Sequence, residues 1–308
     1  MDNRRRKMST KQSFGGAWTV EKLNILSGYL NFYVTALKNQ PFDLIYIDAF
    51  AGTGHINLGS DTKGFVCGQI GIDMNEVTEP EEEIIPGSAM LALSAKEPFS
   101  HYYFIEKNRK FAAELETLVE TDYPQRKSNV TIRKGEDCNT VLLELCQKAI
   151  DWRNYRAVLF LDPYAADVRW ETLQAVSNTG AIDVWYLFPF SAVNRMMTKD
   201  GNIDPKWREK LNSIFGDNSW EQKFYEENPQ ISMFDTPSIM RNVSIDKLKN
   251  YIEERLGTLF PKVSQHSRVL YNSKRSPLFM FCFAVSNPDY KAQGLALKVA
   301  NYILQGKR

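Results

Sequence analysis

The sequence predicts an α/β fold: a mostly parallel sheet, finished by an antiparallel hairpin, with helices on both faces. Three observations predict it. Short apolar runs alternate with helical stretches between residues 43 and 188, the pattern of βαβ units. Runs such as Ala157-Val158-Leu159-Phe160-Leu161 are apolar throughout, as strands covered on both faces must be. Towards the end of the chain, two apolar runs flank the polar turn Asn272-Ser273-Lys274-Arg275-Ser276, which reads as a hairpin.

Taken in order, residues 1–14 are polar and basic (Arg4-Arg5-Arg6-Lys7) and read as a flexible tail, leaving 15–308 as one domain. Leu23, Leu26, Leu30, Tyr33 and Leu37 recur at helical spacing, with Thr19 as the N-cap. The strand 43–48 follows and runs into the turn Ala51-Gly52-Thr53-Gly54. Strands are then predicted at 101–106, 130–133, 157–161 and 182–188, with helices at 108–120, 139–150 and 170–177 between them. The closing hairpin ends in the strand 278–285, and a helix covers about 290–305. Two insertions interrupt the rhythm, at about 55–86 and 191–262. The first is acidic (Asp73, Glu76, Glu79, Glu81, Glu82, Glu83). The second carries helix starts at Asp204-Pro205, at the capping box Ser219-Trp220-Glu221-Gln222 and at Ser244.

Composition narrows the function classes. With 38 Lys+Arg against 37 Asp+Glu the net charge is +1, so any nucleic-acid surface must be local. The longest apolar run, 278–285, is far short of the roughly 20 residues of a membrane helix. No apolar segment follows the basic start, so a secretory signal is not expected. Four scattered cysteines and three histidines argue against both a disulfide scaffold and a metal site. The cytoplasm is the expected compartment.

In open parallel sheets a ligand sits beyond the carboxyl ends of the strands. Candidate groups stand at four successive strand ends. Asp48 with Phe50, Ala51, Gly52 and Gly54 forms the first, Glu106 the second, Asp137 with Cys138 the third, and Asp162-Pro163-Tyr164 the fourth. Glycines let the backbone approach a ligand. Glu106 suits a ribose diol and Asp137 an adenine amino group, although each acid is also a plausible cap for its following helix. A dinucleotide fingerprint needs a third glycine after Gly52 and Gly54, and Asn57 stands there. Asp48 would repel a pyrophosphate and welcome an ammonium group, which favours S-adenosylmethionine.

These strand ends and the closing hairpin resemble the class I S-adenosylmethionine-dependent methyltransferases, a Rossmann-like fold. More narrowly, the chain resembles the bacterial three-Cys-motif partner proteins (TcmP) over roughly residues 15–305. The carriers are Ile47-Asp48-Ala49-Phe50-Ala51-Gly52, Pro86-Gly87-Ser88-Ala89-Met90-Leu91-Ala92-Leu93, and Phe160-Leu161-Asp162-Pro163-Tyr164 followed by Val168-Arg169-Trp170-Glu171-Thr172-Leu173. Leu187-Phe188-Pro189-Phe190 with Asn194-Arg195 adds a further match. The resemblance implies a partner with a three-cysteine, radical-enzyme-like motif. Amine-methylating relatives of the fold carry two prolines where this chain has Asp162-Pro163-Tyr164-Ala165, so Tyr164 stands one position early.

The expected function is methyl transfer, with Asp162, Pro163 and Tyr164 placing the acceptor, plausibly a nucleic-acid base. Asn194 and Arg195 are candidates for holding a substrate anion; a helix cap and a surface cation are the alternative. Arg268, Lys274 and Arg275 lie in a stretch without acids and suit either a phosphate-tracking face or protection of a sheet edge. The rival from another class is a non-catalytic docking protein for the three-cysteine partner, with the two insertions as its interface.

Overall fold

The computed structural model describes residues 17–58, 83–227 and 239–306. The basic tail and the acidic cluster from Asp73 to Glu82 lie outside the described residues.

The main sheet is built from β1 (Asp43–Asp48), β4 (His101–Glu106), β5 (Val130–Lys134), β6 (Tyr155–Leu161), β7 (Ile182–Phe188), β10 (Lys262–Val263), β11 (Arg268–Tyr271) and β12 (Pro277–Val285). Its order is β10-β12-β7-β6-β1-β4-β5, and β11 also pairs with β12. β5, β4, β1, β6 and β7 run parallel, whereas β12 is antiparallel to β7, β10 and β11. The chain builds outward from β1 to β5, then returns to the other side of β1 with β6. The order therefore reverses beside β1, where a doubly wound sheet opens a crevice for a ligand. This is the mostly parallel, doubly wound α/β sheet with a closing antiparallel hairpin that the sequence predicts.

Alternation along each strand supplies two cores. Leu44, Tyr46, Phe104, Phe160, Trp185, Phe281 and Phe283 face α1 (Ala17–Leu37), α2 (Ser88–Leu93), α3 (Arg109–Asp122) and α10 (Tyr290–Leu304). Ile45, Ile47, Leu159, Leu161, Val184 and Cys282 face α4 (Cys138–Glu144), α5 (Trp170–Asn178), α7 (Pro205–Phe215) and α9 (Ile245–Gly257). Two short helices, α6 (Phe190–Met196) and α8 (Ser219–Phe224), complete the second face. Small hairpins β2–β3 (His55–Leu58, Glu83–Pro86) and β8–β9 (Tyr225–Glu227, Ile239–Arg241) rise from the two insertions.

Three local expectations are corrected. Thr19 is not an N-cap: α1 begins by Ala17, and Thr19 is buried inside it. The capping box at Ser219 does not form; Ser219 is the first helical residue after Asn218, and its N–H is held by Asp217 instead. The helix predicted over 139–150 widens into a π turn at Leu145–Ala149, and the Trp152 indole donates to the Leu145 carbonyl at 3.2 Å.

One buried carboxyl gives the fold a pH signature. Asp183 on β7 accepts from the Tyr29 hydroxyl of α1 at 2.6 Å, and burial raises its pKa from 3.8 to about 7. Folding thus keeps a proton that the unfolded chain releases near pH 4. The stabilisation is complete below that pH and is lost as pH rises towards 7. Asp183→Asn, which still accepts from Tyr29, should therefore gain stability relative to the parent between pH 5 and pH 8. Urea unfolding at both pH values checks this; a pH-independent difference would refute it.

Candidate functional site

A cavity of about 700 Å³ opens at the carboxyl ends of β1, β4, β5 and β6. Four predicted strand-end groups meet in its wall: Phe50, Ala51, Gly52 and Gly54; Glu106; Asp137 and Cys138; and Asp162, Pro163 and Tyr164.

The glycine turn is shaped for close approach. Gly52 has φ +60°, and a Cβ built there would meet nothing within 4 Å. Gly54 has φ +86°, and its Cβ would strike the Leu115 side chain of α3 at 2.9 Å. The first glycine therefore leaves room for a ligand, and the second lets α3 pack against the turn. The Gly54 carbonyl also accepts from Gly87 N–H at 2.8 Å, which fixes the hairpin β2–β3 beside the turn.

Glu106 joins two loops, its Oε2 accepting from Gly52 N–H at 2.9 Å and its Oε1 from Asn108 N–H at 2.7 Å. Asn108, not Glu106, caps α3. Each Glu106 oxygen has a second lone pair for a ligand hydroxyl. Asp137 does cap α4, with Oδ1 accepting from Asn139 and Thr140 N–H groups. Asn139 is the hub beneath it: its amide donates to Asp137 and to the Asp167 carbonyl, and accepts from Arg169 N–H and Thr172. The loops after β5 and β6 are thereby held as one unit. Burial pushes the Cys138 thiol up to about 12, so this residue is an inert part of the wall.

Asp48 is a correction. It is fully buried and does not line the cavity. Instead it accepts from Phe50 N–H at 3.1 Å and from the Tyr46 hydroxyl at 3.3 Å, bracing the turn from behind. Burial raises its carboxyl to about 7.

Sequence reasoning missed the group that faces Asp162. Lys22 of α1 is ion-paired with Asp162 Oδ2 and is itself buried. Its ammonium also lies 5.0 Å from the Trp18 ring centroid. A signal was present: Lys22 falls four residues before Leu26, inside the apolar stripe of α1, where an unpartnered lysine is not tolerated. Trp18 and Thr19 of α1, with Leu278 and Phe279 of β12, complete this end of the wall. Tyr164 is 75% exposed at the rim.

The predicted substrate-binding residues lie elsewhere. Asn194 accepts from Arg241 through its backbone carbonyl and side chain, which braces β9 on α6, while Arg195 is exposed. Arg268 pairs with Glu21 and donates to the Leu304 carbonyl at 3.1 Å. Lys274 and Arg275 occupy the exposed turn between β11 and β12. None of these five lines the cavity.

The wall is acidic overall. Glu106, Glu136, Asp137, Asp162 and Asp167 face it against Lys22 and Lys107. Such a lining repels a pyrophosphate and attracts a cation. Among the described residues no His/Cys/Asp/Glu group is arranged to hold a metal ion, and no helix is long and apolar enough to cross a membrane.

No family model and no curated protein matches the chain. Among solved structures it is similar to a DUF519 protein from Legionella pneumophila, at 17% identity over 80% of this chain and 93% of that one, with a TM-score of 0.41. A putative methyltransferase, yhhF, from Escherichia coli is 12% identical over 70% and 86%, with a TM-score of 0.30. The glycopeptide N-methyltransferase MtfA, solved with S-adenosylhomocysteine, is 10% identical over 84% and 89%, with a TM-score of 0.32. Likeness at this level concerns the fold and nothing finer.

Proposed function

We propose that this chain is an S-adenosylmethionine-dependent methyltransferase acting on a nucleic-acid base or a nucleotide-derived acceptor. One observation carries the reading: three acids and a glycine turn from successive strand ends meet in a single acidic cavity beside the point where strand order reverses. The residues fit the cofactor. Gly52 leaves open space on the cavity side, Glu106 retains lone pairs for a ribose diol, and Asp137 Oδ2 suits an adenine amino group. The acidic lining suits a sulfonium and an ammonium.

When bound, the cofactor supplies a methyl group on a good leaving group, so no strong base is required of the protein. What the chain contributes is placement. Asp162, held by Lys22, is an oriented acceptor for an N–H of the substrate, and Tyr164 at the rim offers a face for a ring. Holding a nucleophile in line contributes about 7–11 kcal/mol in well-oriented systems. The motif order further supports kinship with the three-Cys-motif partner proteins and a role beside a three-cysteine protein in the cytoplasm.

Thermal unfolding tests the cofactor. S-adenosylmethionine and S-adenosylhomocysteine at about 100 times their Kd should each add about 2.7 kcal/mol, raising the midpoint by several degrees. NAD should not. A shift with NAD alone, or with none of the three, would overturn the proposal.

A further inference from the structure

Charge is divided unevenly along this chain. Residues 258–308, which follow α9, hold eight of the 38 Lys+Arg and one of the 37 Asp+Glu, leaving 30 cations against 36 anions elsewhere. Those residues build one margin of the molecule. β10 and β11 pair with β12 at the end of the sheet, and Arg268 of β11 donates to the Leu304 carbonyl, setting the end of α10 against that strand. Lys274, Arg275, Lys291 and Lys298 are exposed there, and none has an acidic partner among the described residues. Cations on an edge strand guard it against aggregation. These four stand on a turn and on a helix, so edge protection does not account for them.

The turn carries a second, independent observation. Asn272 Oδ1 accepts from Lys274 N–H at 3.0 Å and from Ser276 N–H at 2.8 Å, and the Asn272 carbonyl accepts from Arg275 N–H at 2.9 Å. Arg275 has φ +56°, and no other described residue except glycine has a positive φ. Glycine or asparagine suits that backbone. An arginine kept there points to a use for its charge. Met280 pairs with Phe188, the last residue of β7, so the turn projects beyond the carboxyl ends of the strands, and Leu278 and Phe279 after it line the cavity. On α10, Lys291, Leu295, Lys298 and Tyr302 recur at helical spacing on the exposed face. Tyr302 is 48% exposed and Tyr271, beside the turn, 44%.

We infer that the β11–β12 turn and the exposed face of α10 form a binding surface for single-stranded nucleic acid, separate from the cavity. The four cations follow its phosphates, and Tyr271 and Tyr302 offer ring faces to unpaired bases, which a duplex keeps stacked inside. This rests on the nucleic-acid reading of the acceptor and adds where its backbone lies. An acidic cavity repels a polyanion, so the anchoring charge has to stand outside it, as the turn does.

Anisotropy of fluorescein-labelled oligouridine and oligothymidine, each about 20 nucleotides long, tests the surface without any cofactor. Both should bind, with log K falling against log salt by about 0.7 per phosphate held. Lys274→Gln with Arg275→Gly, and separately Lys291→Gln with Lys298→Gln, should each weaken binding at least about tenfold at low salt and flatten that slope by about 1.4. Glycine suits the backbone at 275, so the turn variant should keep the parent's thermal midpoint. Tyr271→Ala and Tyr302→Ala should weaken binding and leave the slope unchanged. Unchanged affinity in either cation variant, a duplex bound as tightly as the single strands, or binding to phosphatidylglycerol vesicles in place of the strands would each overturn the surface. Absence of the S-adenosylhomocysteine shift in the parent would instead overturn the cofactor reading and leave this surface standing.

Discussion

Replacing Asp162 by alanine should abolish methyl transfer and also cost about 3–5 kcal/mol of stability, because it strands a buried ammonium. Lys22 is 6% exposed in its side chain and Asp162 22%, so water offers the lysine little compensation. The two losses separate in a double variant. Lys22→Met with Asp162→Leu replaces the pair by apolar groups of similar size, which is often neutral or stabilising. The double variant should recover the parent's urea midpoint and remain unable to transfer a labelled methyl group to bulk RNA, DNA or free nucleosides. It also separates the two function classes. A chain that serves only to dock a partner would keep its cellular role in the stable double variant, whereas an enzyme would lose it. Recovery of transfer with both polar groups gone would refute the assignment of Asp162.

Gly52→Ala and Gly54→Ala should fail in opposite ways. Both positions have positive φ, which costs an L-residue about 1–2 kcal/mol. Beyond that shared cost, the methyl at position 52 enters open space in the cavity wall, while the one at position 54 presses on Leu115 and Leu118. Gly52→Ala should weaken S-adenosylhomocysteine at least about tenfold, a loss of 1.4 kcal/mol or more, and lower the ligand-free midpoint only by the shared cost of its positive φ. Gly54→Ala should mainly lower that midpoint. Isothermal titration and thermal unfolding of the two variants check the contrast. If both lost only stability, the turn would have no role in binding.

Much of this was legible in the sequence, for physical reasons that also mark where legibility ended. The strands at 43–48, 101–106 and 182–188 were read to the residue because apolar runs stop where a buried strand meets a polar turn. The strand-end groups could be anticipated because a parallel sheet gathers its carboxyl ends on one side. Asp48 was misplaced because sequence order does not tell which residue of a turn faces out; its carboxyl went inward to Phe50 N–H and Tyr46. Lys22 was missed because its partner lies 140 residues away, and only the folded sheet brings α1 over the end of β6. The hairpins β2–β3 and β8–β9 escaped because their strands, His55–Leu58, Glu83–Pro86, Tyr225–Glu227 and Ile239–Arg241, are short and mixed in polarity, without the apolar run that marks a buried strand. Asn194 and Arg268 looked like ligands for an anion, yet bonds to Arg241, Glu21 and Leu304 occupy them within the fold.

Arg268 holds more than a strand. One guanidinium ties Glu21 of α1 to the last carbonyl of α10, while Phe279 of the neighbouring strand rests on Trp18. The wall that α1 contributes is therefore finished by β12, made long after it during translation. A nascent chain that has produced everything through β7 possesses the glycine turn and all of the strand-end acids, but the α1 end of the cavity still lacks Phe279. Synthesis thus supplies the glycine turn and the strand-end acids well before Phe279, the last side chain of the α1 end of the wall.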